Sequence, residues 1–435
     1  MSGFIDRPCP IRRIGDGQRN HFFGYYNKST WDDLGRYLLS NQVPMMTQDL
    51  DGSEVAEVGY FDLEDRDIFK VIGSTTAWNW QMGCQLQWLT TPGDQQIIYN
   101  TRAMGPELEE FPYADFRANV YDCASEEVRE LPLPVYVVAS DGSYALCVNY
   151  ARFEETHKTI GYRPTHTLSG FRAAHAKARL ENAPENDGIW RMNMASGEYE
   201  LIVPLRQLFE FEHVPSMDKA MHWVTHLEIA PGAKRFLFIH RWTERAEDET
   251  CYLHRLFTCN ADGSGLRLLE DTDHPLPQLA DEFDPDAVGT FDYEKSEWQI
   301  SHPMWKDEHH VIVWGPHDGS IHYHLYDDRD GTVEVIGAGT LTENGHMTYS
   351  KDGRWILTDT YPNSETNLRK LLLYDVATDT CYMIGEFYTP PDLGKHNRCD
   401  LHPRFSPCDR FVTIDSVHEG SRQQYLLDVA ELTAQ

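Results

Sequence analysis

The chain of 435 residues carries 69 acidic against 38 basic side chains, a formal net charge of −31. That sign argues against nucleic acid and anionic membrane surfaces as partners, since both are bound through a basic footprint, and against a long polyanion unless a local basic pocket overrides the field. Hydrophobic content of 41% and aromatic content of 12% supply enough core for two or three ordinary domains or for one large repeat fold.

The N-terminal stretch MSGFIDRPCPIRRIGDG has no apolar h-region, and no later run approaches bilayer-spanning length, so a soluble, cytoplasmic protein is expected. Nine scattered cysteines, an odd number, fit a reducing compartment better than a disulfide framework.

From residue 21 onward the predicted elements alternate between two kinds of hairpin. In chain order the openings are HFFGYYNKSTWDDLGRYLL (21–39), QLQWLTTPGDQQIIY (85–99), YVVASDGSYALCV (136–148), HLEIAPGAKRFLF (226–238), HPMWKDEHHVIVW (302–314), GHMTYSKDGRW (345–355) and HPRFSPCDRF (402–411). Most place two apolar runs around a polar turn with glycine, which accepts a positive φ. A closing hairpin follows each: YFDLEDRDIFKVIG, YDCASEEVRELPL, WRMNMASGEYELI, FTCNADGSGLRLL, YDDRDGTVEVIG, YDVATDTCYMIG and YLLDVAELTAQ.

A fixed unit of two hairpins with almost no helical periodicity is the mark of a β-propeller blade, so the chain is expected to be an all-β, seven-bladed β-propeller in one domain, 1–435. About 62 residues per unit exceeds a compact blade, so some loops are long. Two insertions stand out. One, at about 153–189, holds a possible short helix, GFRAAHAKARLE, with Arg172, Lys177 and Arg179; the other, at about 270–298, is acidic and contains proline. The seventh closing reaches the C-terminus without a full outer strand. IRRIG (11–15) resembles the outer strands FKVIG, VEVIG and CYMIG, so an N-terminal strand is expected to complete the last blade and close the ring.

The first strand of each blade lines a propeller's channel, so the residue opening each unit projects there. These residues are His21, Gln85, Tyr136, His226, His302, His346 and His402. One histidine in such a place is ordinarily a hydrogen-bonding residue, but five in one register point to a site. Imidazoles on neighbouring blades suit a divalent metal such as Zn, Mn, Fe or Ni, with Mn or Zn foremost. His302, His346 and His402 are the preferred ligands, leaving a position open for substrate or water. His226 is a fourth ligand or a free base. His21, Gln85 and Trp80, the last from WNWQMGC (78–84), are the expected substrate contacts, although Trp78 and Trp80 also suit packing beneath a loop. Arg152, in CVNYARF, is either a channel-mouth cation or half of a surface ion pair. A competing structural-zinc spacing joins His396, Cys399, His402 and Cys408, and Cys251 with Cys259 is a weaker pair.

The openings GHMTYSKDGRW, SHPMWKDE, THLEIAPGAKRF and CDLHPRFSPCDRF resemble those of the seven-bladed propeller polysaccharide lyases, most clearly the oligogalacturonate lyases and more distantly the ulvan lyases. The resemblance runs over most of the chain as a blade frame with histidines. It implies that His226 is the base removing the proton α to a uronate carboxylate, and that His302 and His346 hold the metal that binds this carboxylate. Where the oligogalacturonate lyases have further ligands, this chain has Leu341 and Asn344, for which His402 compensates from the next blade. Arg191 is near the family's assisting arginine but out of register. The ulvan-lyase version gives the tyrosine and arginine roles to Tyr136 and Arg152, with Gln81 and Asn100 where histidines are expected. The function implied is metal-assisted β-elimination from an acidic uronate oligosaccharide. The rival readings are a metal-dependent hydrolase or isomerase using the same residues, and a non-catalytic binding propeller.

Overall fold

The computed structural model describes residues 4–91, 94–102, 116–163, 181–244, 252–271, 299–394 and 396–434. Most of the segment GFRAAHAKARLE, with Arg172, Lys177 and Arg179, nearly all of the acidic insertion, and Cys251 lie outside the described residues.

Seven sheets follow one another along the chain, and the fold is a seven-bladed β-propeller. The blades occupy 20–75, 87–131, 135–204, 221–271, 301–336, 348–388 and 404–428, and are numbered 1 to 7 in that order. Ile11–Arg13 pairs antiparallel with Gln423–Asp428 and supplies the outer strand of blade 7, as the IRRIG resemblance predicts. Phe4–Asp6, which the sequence did not announce, adds a fifth, parallel strand to blade 6. Both N-terminal strands cover sheet edges that would otherwise expose unpaired backbone groups.

Local chemistry explains why the chain turns where it does. In the opening turn of blade 6, Ser350 Oγ accepts the Trp355 N–H at 2.9 Å and donates to Asp352 at 2.7 Å, while Gly353 takes φ +71°. Ser406 Oγ accepts the Phe411 N–H at 3.0 Å in blade 7, and Asp32 Oδ1 accepts from Arg36 and Tyr37 in blade 1. The closing turns use another device. An Asp or Asn at the end of the third strand accepts the N–H two residues on, as Asp62, Asp122, Asn193, Asp327, Asp375 and Asp428 do at 2.8–3.1 Å. These side chains imitate a backbone turn and, except after Asp428, where the helix Ala430–Thr433 follows, fix where the outer strand begins.

By their contacts the residues divide into two compact units: Met1–Tyr99, Val120–Val128 and Val335–Gln435, and Asn100–Asn119 with Arg129–Glu334. Blades 1, 6 and 7 belong to the first. Blades 3, 4 and nearly all of 5 belong to the second, and blade 2 contributes to both. Within the first unit, Phe22, Leu39, Trp78, Trp80, Ile97 and Tyr99 pack blade 1 on blade 2, and Trp355, Leu371, Ile384, Leu401 and Ile414 pack blade 6 on blade 7. Within the second, Leu237, Ile239, Ile300, Trp305 and Val313 pack blade 4 on blade 5. Each such side chain contributes about 1.5–3 kcal/mol by leaving water.

Candidate active site

Register identifies the residue opening each blade. Across the opening turns Trp31 pairs with Leu38, Val138 with Ala145, Ile229 with Phe236, Tyr349 with Ile356 and Phe405 with Val412. Three residues before the first of each pair stand Lys28, Val135, His226, His346 and His402; the same offset from Trp88 and Trp305 gives Gln85 and His302. Two expected positions therefore shift. In blade 1 the place belongs to the buried Lys28, because HFFGYYN inserts seven residues ahead of it. His21 instead packs against Phe61 and Phe69 at 4.7 and 4.8 Å, where burial lowers its pKa to about 4. In blade 3 a one-residue bulge between Val135 and Val137 displaces Tyr136, whose hydroxyl accepts the His226 N–H at 2.8 Å. Burial raises the Tyr136 pKa, which keeps it a phenol rather than a tyrosinate.

Gln85, His226, His302 and His402 share a second property: all have positive φ, between 43° and 56°. Such a backbone is uncommon outside glycine and is strained by about 1–3 kcal/mol. In blades 4 and 5 the register slips by one residue at this point, between Thr225 and Glu228 and between Ser301 and Met304. The bulge re-aims one side chain per blade, and the preceding hydroxyl then fixes the ring. Thr225 Oγ1 lies 2.9 Å from His226 Nδ1, and Ser301 Oγ lies 2.9 Å from His302 Nδ1.

His226 and His302 lie with their ring centres 6.3 Å apart in the second unit. Burial lowers the pKa of His226 well below the ordinary histidine value, and Arg241, His302, His157 and His254 push it in the same direction. It is a neutral imidazole at neutral pH. Arg241, on the second strand of blade 4, is 4% exposed; it donates to His157 Nδ1 at 2.9 Å and lies over the Tyr252 ring at 4.5 Å. Its Nε–H is buried without a hydrogen-bond partner among the described residues. The sequence reading missed Arg241, although a lone arginine in the apolar strand RFLFIHRWT was a usable signal.

In the first unit His346, Asp400 and His402 are all buried, and one potential ligand atom of each lies within 4.8 Å of the others. Asp359 organises this group. Its carboxylate accepts the His346 N–H at 2.7 Å, lies 2.9 and 3.1 Å from His346 Nδ1, and accepts the N–H groups of Leu401 and His402 at 3.1 and 3.2 Å. Donation from Nδ1 to the carboxylate leaves the ring lone pair on Nε2, the tautomer a metal ligand needs. Gly345 makes the approach possible: a Cβ there would fall 1.8 Å from the Asp359 carbonyl oxygen.

Asp400 meets Arg369 and Arg398, each at 2.7 Å. Burial alone would raise its pKa, but these two guanidiniums hold it well below the carboxylate range. The strap Phe23–Tyr26 brings Tyr25 to 5.3 Å from His402 and Tyr26 to 5.6 Å from His346 between ring centres. Arg404 holds the strap through the carbonyls of Gly24 and Tyr25, and Asp415 holds it through the N–H groups of Phe23 and Gly24. Arg369 and Arg398 face Asp400, Arg404 faces Asp415, and Arg422 donates to the carbonyls of Asn397 and Arg398. Two imidazoles and a carboxylate are a donor set that suits Zn or Mn. Asp400 was not among the expected ligands, and His302, which was, belongs to the other unit.

The remaining candidates have structural surroundings. Arg152 lies in the helix Tyr150–Thr156, 2% exposed, and donates to the carbonyls of His222, Glu181 and Asn182 at 2.5–2.8 Å. It is neither at the surface nor at the end of a strand. Trp80 is buried between Phe22 and the Arg422 guanidinium, with its N–H on the Gln48 carbonyl, so no ring face is open for a sugar. Gln85 donates to Met82 Sδ at 3.2 Å, and Asn100 binds both backbone groups of Val135. Arg191 pairs with Glu200 and lies over Tyr144. Cys399 is buried, with its thiol pushed up to about 11, while Cys408 is exposed; no metal-binding group containing either forms among the described residues. No helix among the described residues is long and apolar enough to cross a membrane.

The structure thus defines a class: a seven-bladed propeller whose opening residues gather buried imidazoles into two charged clusters. No family model and no curated protein sequence matches the chain. Solved structures do match. An oligogalacturonate lyase in complex with manganese aligns over 100% of both chains at 12% identity and a TM-score of 0.62. An oligogalacturonate lyase from Vibrio parahaemolyticus aligns over 97% of this chain and 94% of its own at 13% identity and a TM-score of 0.60. A puromycin-hydrolyzing peptidase from Mycobacterium tuberculosis aligns over 96% of this chain but 53% of its own, at 9% identity and a TM-score of 0.50. The chain has the fold of the oligogalacturonate lyases along its whole length.

Proposed function

We propose that the protein is a lyase that cleaves short uronate-containing oligosaccharides by metal-assisted β-elimination. The observation that carries this is the pairing of His226 with Arg241: a neutral buried imidazole within electrostatic reach of a buried guanidinium that keeps an unbonded donor. Elimination needs both. The proton α to a uronate carboxylate is too weakly acidic to remove unless the carboxylate charge is neutralised as the enolate forms. In this reading Arg241 binds the carboxylate and His226 takes the proton. The bond from the β-carbon to the glycosidic oxygen breaks, a double bond forms, and the leaving oxygen takes a proton from an acid or water.

His346, Asp400 and His402 would hold a divalent ion, Mn or Zn. Such an ion supplies Lewis-acid charge toward a carboxylate. Asp359 fixes their geometry, and Arg398 adds positive charge for an acidic substrate. The full-length likeness in fold to an oligogalacturonate lyase in complex with manganese supports the same reading.

The test is incubation of the full chain with galacturonate, glucuronate and ulvan-type oligosaccharides, with Mn²⁺ or with EDTA. The ultraviolet absorbance of the unsaturated uronate is followed. A chelator-sensitive rise is expected, lost in His226→Ala and reduced by roughly a hundredfold or more in Arg241→Met, as for loss of a positioned base or charge. Because the His226 pKa is depressed, kcat/KM should stay level as pH falls through the ordinary histidine range. No rise on any substrate overturns the proposal.

A further inference from the structure

Blade 5 carries a second group of histidines that the proposed reaction does not use. Its third strand, Ser320–Asp327, places His322 and His324 two residues apart on one face, with Tyr326 next along it. His317 pairs with Ser320 across the preceding turn and so joins that face. The ring centres of His317 and His324 are 5.4 Å apart, and those of His322 and His324 are 6.1 Å apart. Glu270, from the outer strand of blade 4, lies 2.7 Å from His317 Nδ1 and accepts the Tyr326 hydroxyl at 2.8 Å. Asp318 stands 3.7 Å from His317 Nε2.

The middle ring is the anomaly. His324 is 0% exposed, and the Gly315 backbone is the one hydrogen-bonding group among the described residues that acts on its ring, without reaching full hydrogen-bond geometry. Buried polar atoms are nearly always satisfied, so an imidazole left with an orphaned nitrogen is unfavourable unless something binds it. A metal–imidazole bond of about 2 Å puts the ion roughly 3 Å from the ring centre. Two imidazoles sharing an ion therefore have centres about 5 Å apart at a tetrahedral angle and no more than about 6 Å apart. The observed separations fall at this range and its upper edge. Glu270 meanwhile stands where a carboxylate orients a ligating histidine, fixing Nδ1 so that Nε2 faces the ion.

We infer that His317, His322 and His324 form a transition-metal site of Zn²⁺ type, with Glu270 as its orienting carboxylate. Their nitrogens are wider apart than those of His346, Asp400 and His402, and rotation of the half-buried His322 closes the set. Three neutral imidazoles favour Zn²⁺ over Mn²⁺ by ligand softness, so the two sites differ in preference.

The experiment titrates Zn²⁺ alone into the chelator-treated full chain by calorimetry, with bound metal counted after dialysis. His402→Ala reads the site of the proposed function and His322→Ala reads this one, so failure of either is seen separately. The His402→Ala chain should still retain Zn²⁺. Adding His322→Ala to it should abolish retention, and adding Glu270→Gln should weaken binding roughly tenfold, the usual cost of an orienting partner. Circular dichroism checks that each variant folds. Retention by His402→Ala that is unchanged by His322→Ala, or no retention by His402→Ala in a folded chain, overturns the inference.

Discussion

Asp359 is the side chain on which the most geometry depends. Completely buried, it receives His346 through both backbone and ring, and Leu401 and His402 through their N–H groups. Asp359→Asn keeps the size but presents an amide nitrogen to one set of donors, so His346 loses its orientation. Metal affinity at His346, Asp400 and His402 should fall roughly ten- to hundredfold, with the circular dichroism spectrum unchanged. Equilibrium dialysis with Mn²⁺ measures this, and unaltered affinity would show that Asp359 only joins blades. Asp359 was legible in outline, as a carboxylate ending the apolar strand WILTD. Its partners were not, because they come from two blades whose approach no local spacing encodes.

At the scale of elements, the same position in four second strands latches one blade to the next. Asn41, Asn100, Asp359 and Asp415 stand three residues after Leu38, Ile97, Ile356 and Val412, the partners across each opening turn. Asn41 accepts from Cys84 Sγ, Asn100 bonds both the N–H and the C=O of Val135, and Asp415 accepts from Phe23 and Gly24. Asn100, Asp359 and Asp415 satisfy backbone groups at the entry to the following blade, where the ladder leaves them unpaired, whereas Asn41 meets the Cys84 thiol there. Asn100→Ala would orphan the buried Val135 N–H at a cost of about 1–3 kcal/mol, while the Val135 carbonyl keeps the Tyr150 hydroxyl at 3.1 Å. Urea denaturation should show a loss of about 1–3 kcal/mol at an unchanged m-value. A loss below about 0.5 kcal/mol would mean that another group or water takes the amide's place. The motifs YLLSN, QQIIYN, WILTD and FVTID show the pattern once register is known; without register, a terminal Asn or Asp reads as a turn residue.

For the whole molecule, buried histidines set the response to acid. Burial lowers the pKa of His21 to about 4 and of His222 to about 3, and drives His226, His240 and His254 well down. Above pH ~6.5 these groups are neutral folded or unfolded and contribute no proton linkage. As pH falls below that, the unfolded chain binds protons that the folded one refuses, so stability declines until the folded pKa is reached. For His21 this amounts to about 3 kcal/mol by pH ~4. Relief of repulsion at a net charge of −31 acts the other way, so the comparison is with a variant. His21→Phe, placed against Phe61 and Phe69, should flatten the fall in Tm between pH ~6.5 and ~4, and parallel profiles would refute the assignment.

By itself the sequence determined the seven-bladed fold, the turn chemistry, and the N-terminal strand that completes blade 7. Those features are written in short-range pattern: two apolar runs around a polar turn, repeated, with one spare strand at the start. Only the tertiary structure decided that Lys28 and Val135, rather than His21 and Tyr136, open blades 1 and 3, since an inserted strap and a one-residue bulge leave the pattern intact while moving the register. It also brought Asp400 beside His346 and His402, placed Arg241 within reach of His226, and buried Arg152 and Trp80. A side chain's partners across blades depend on where strands begin to pair, and one residue of slip turns the next side chain to the other face of the sheet.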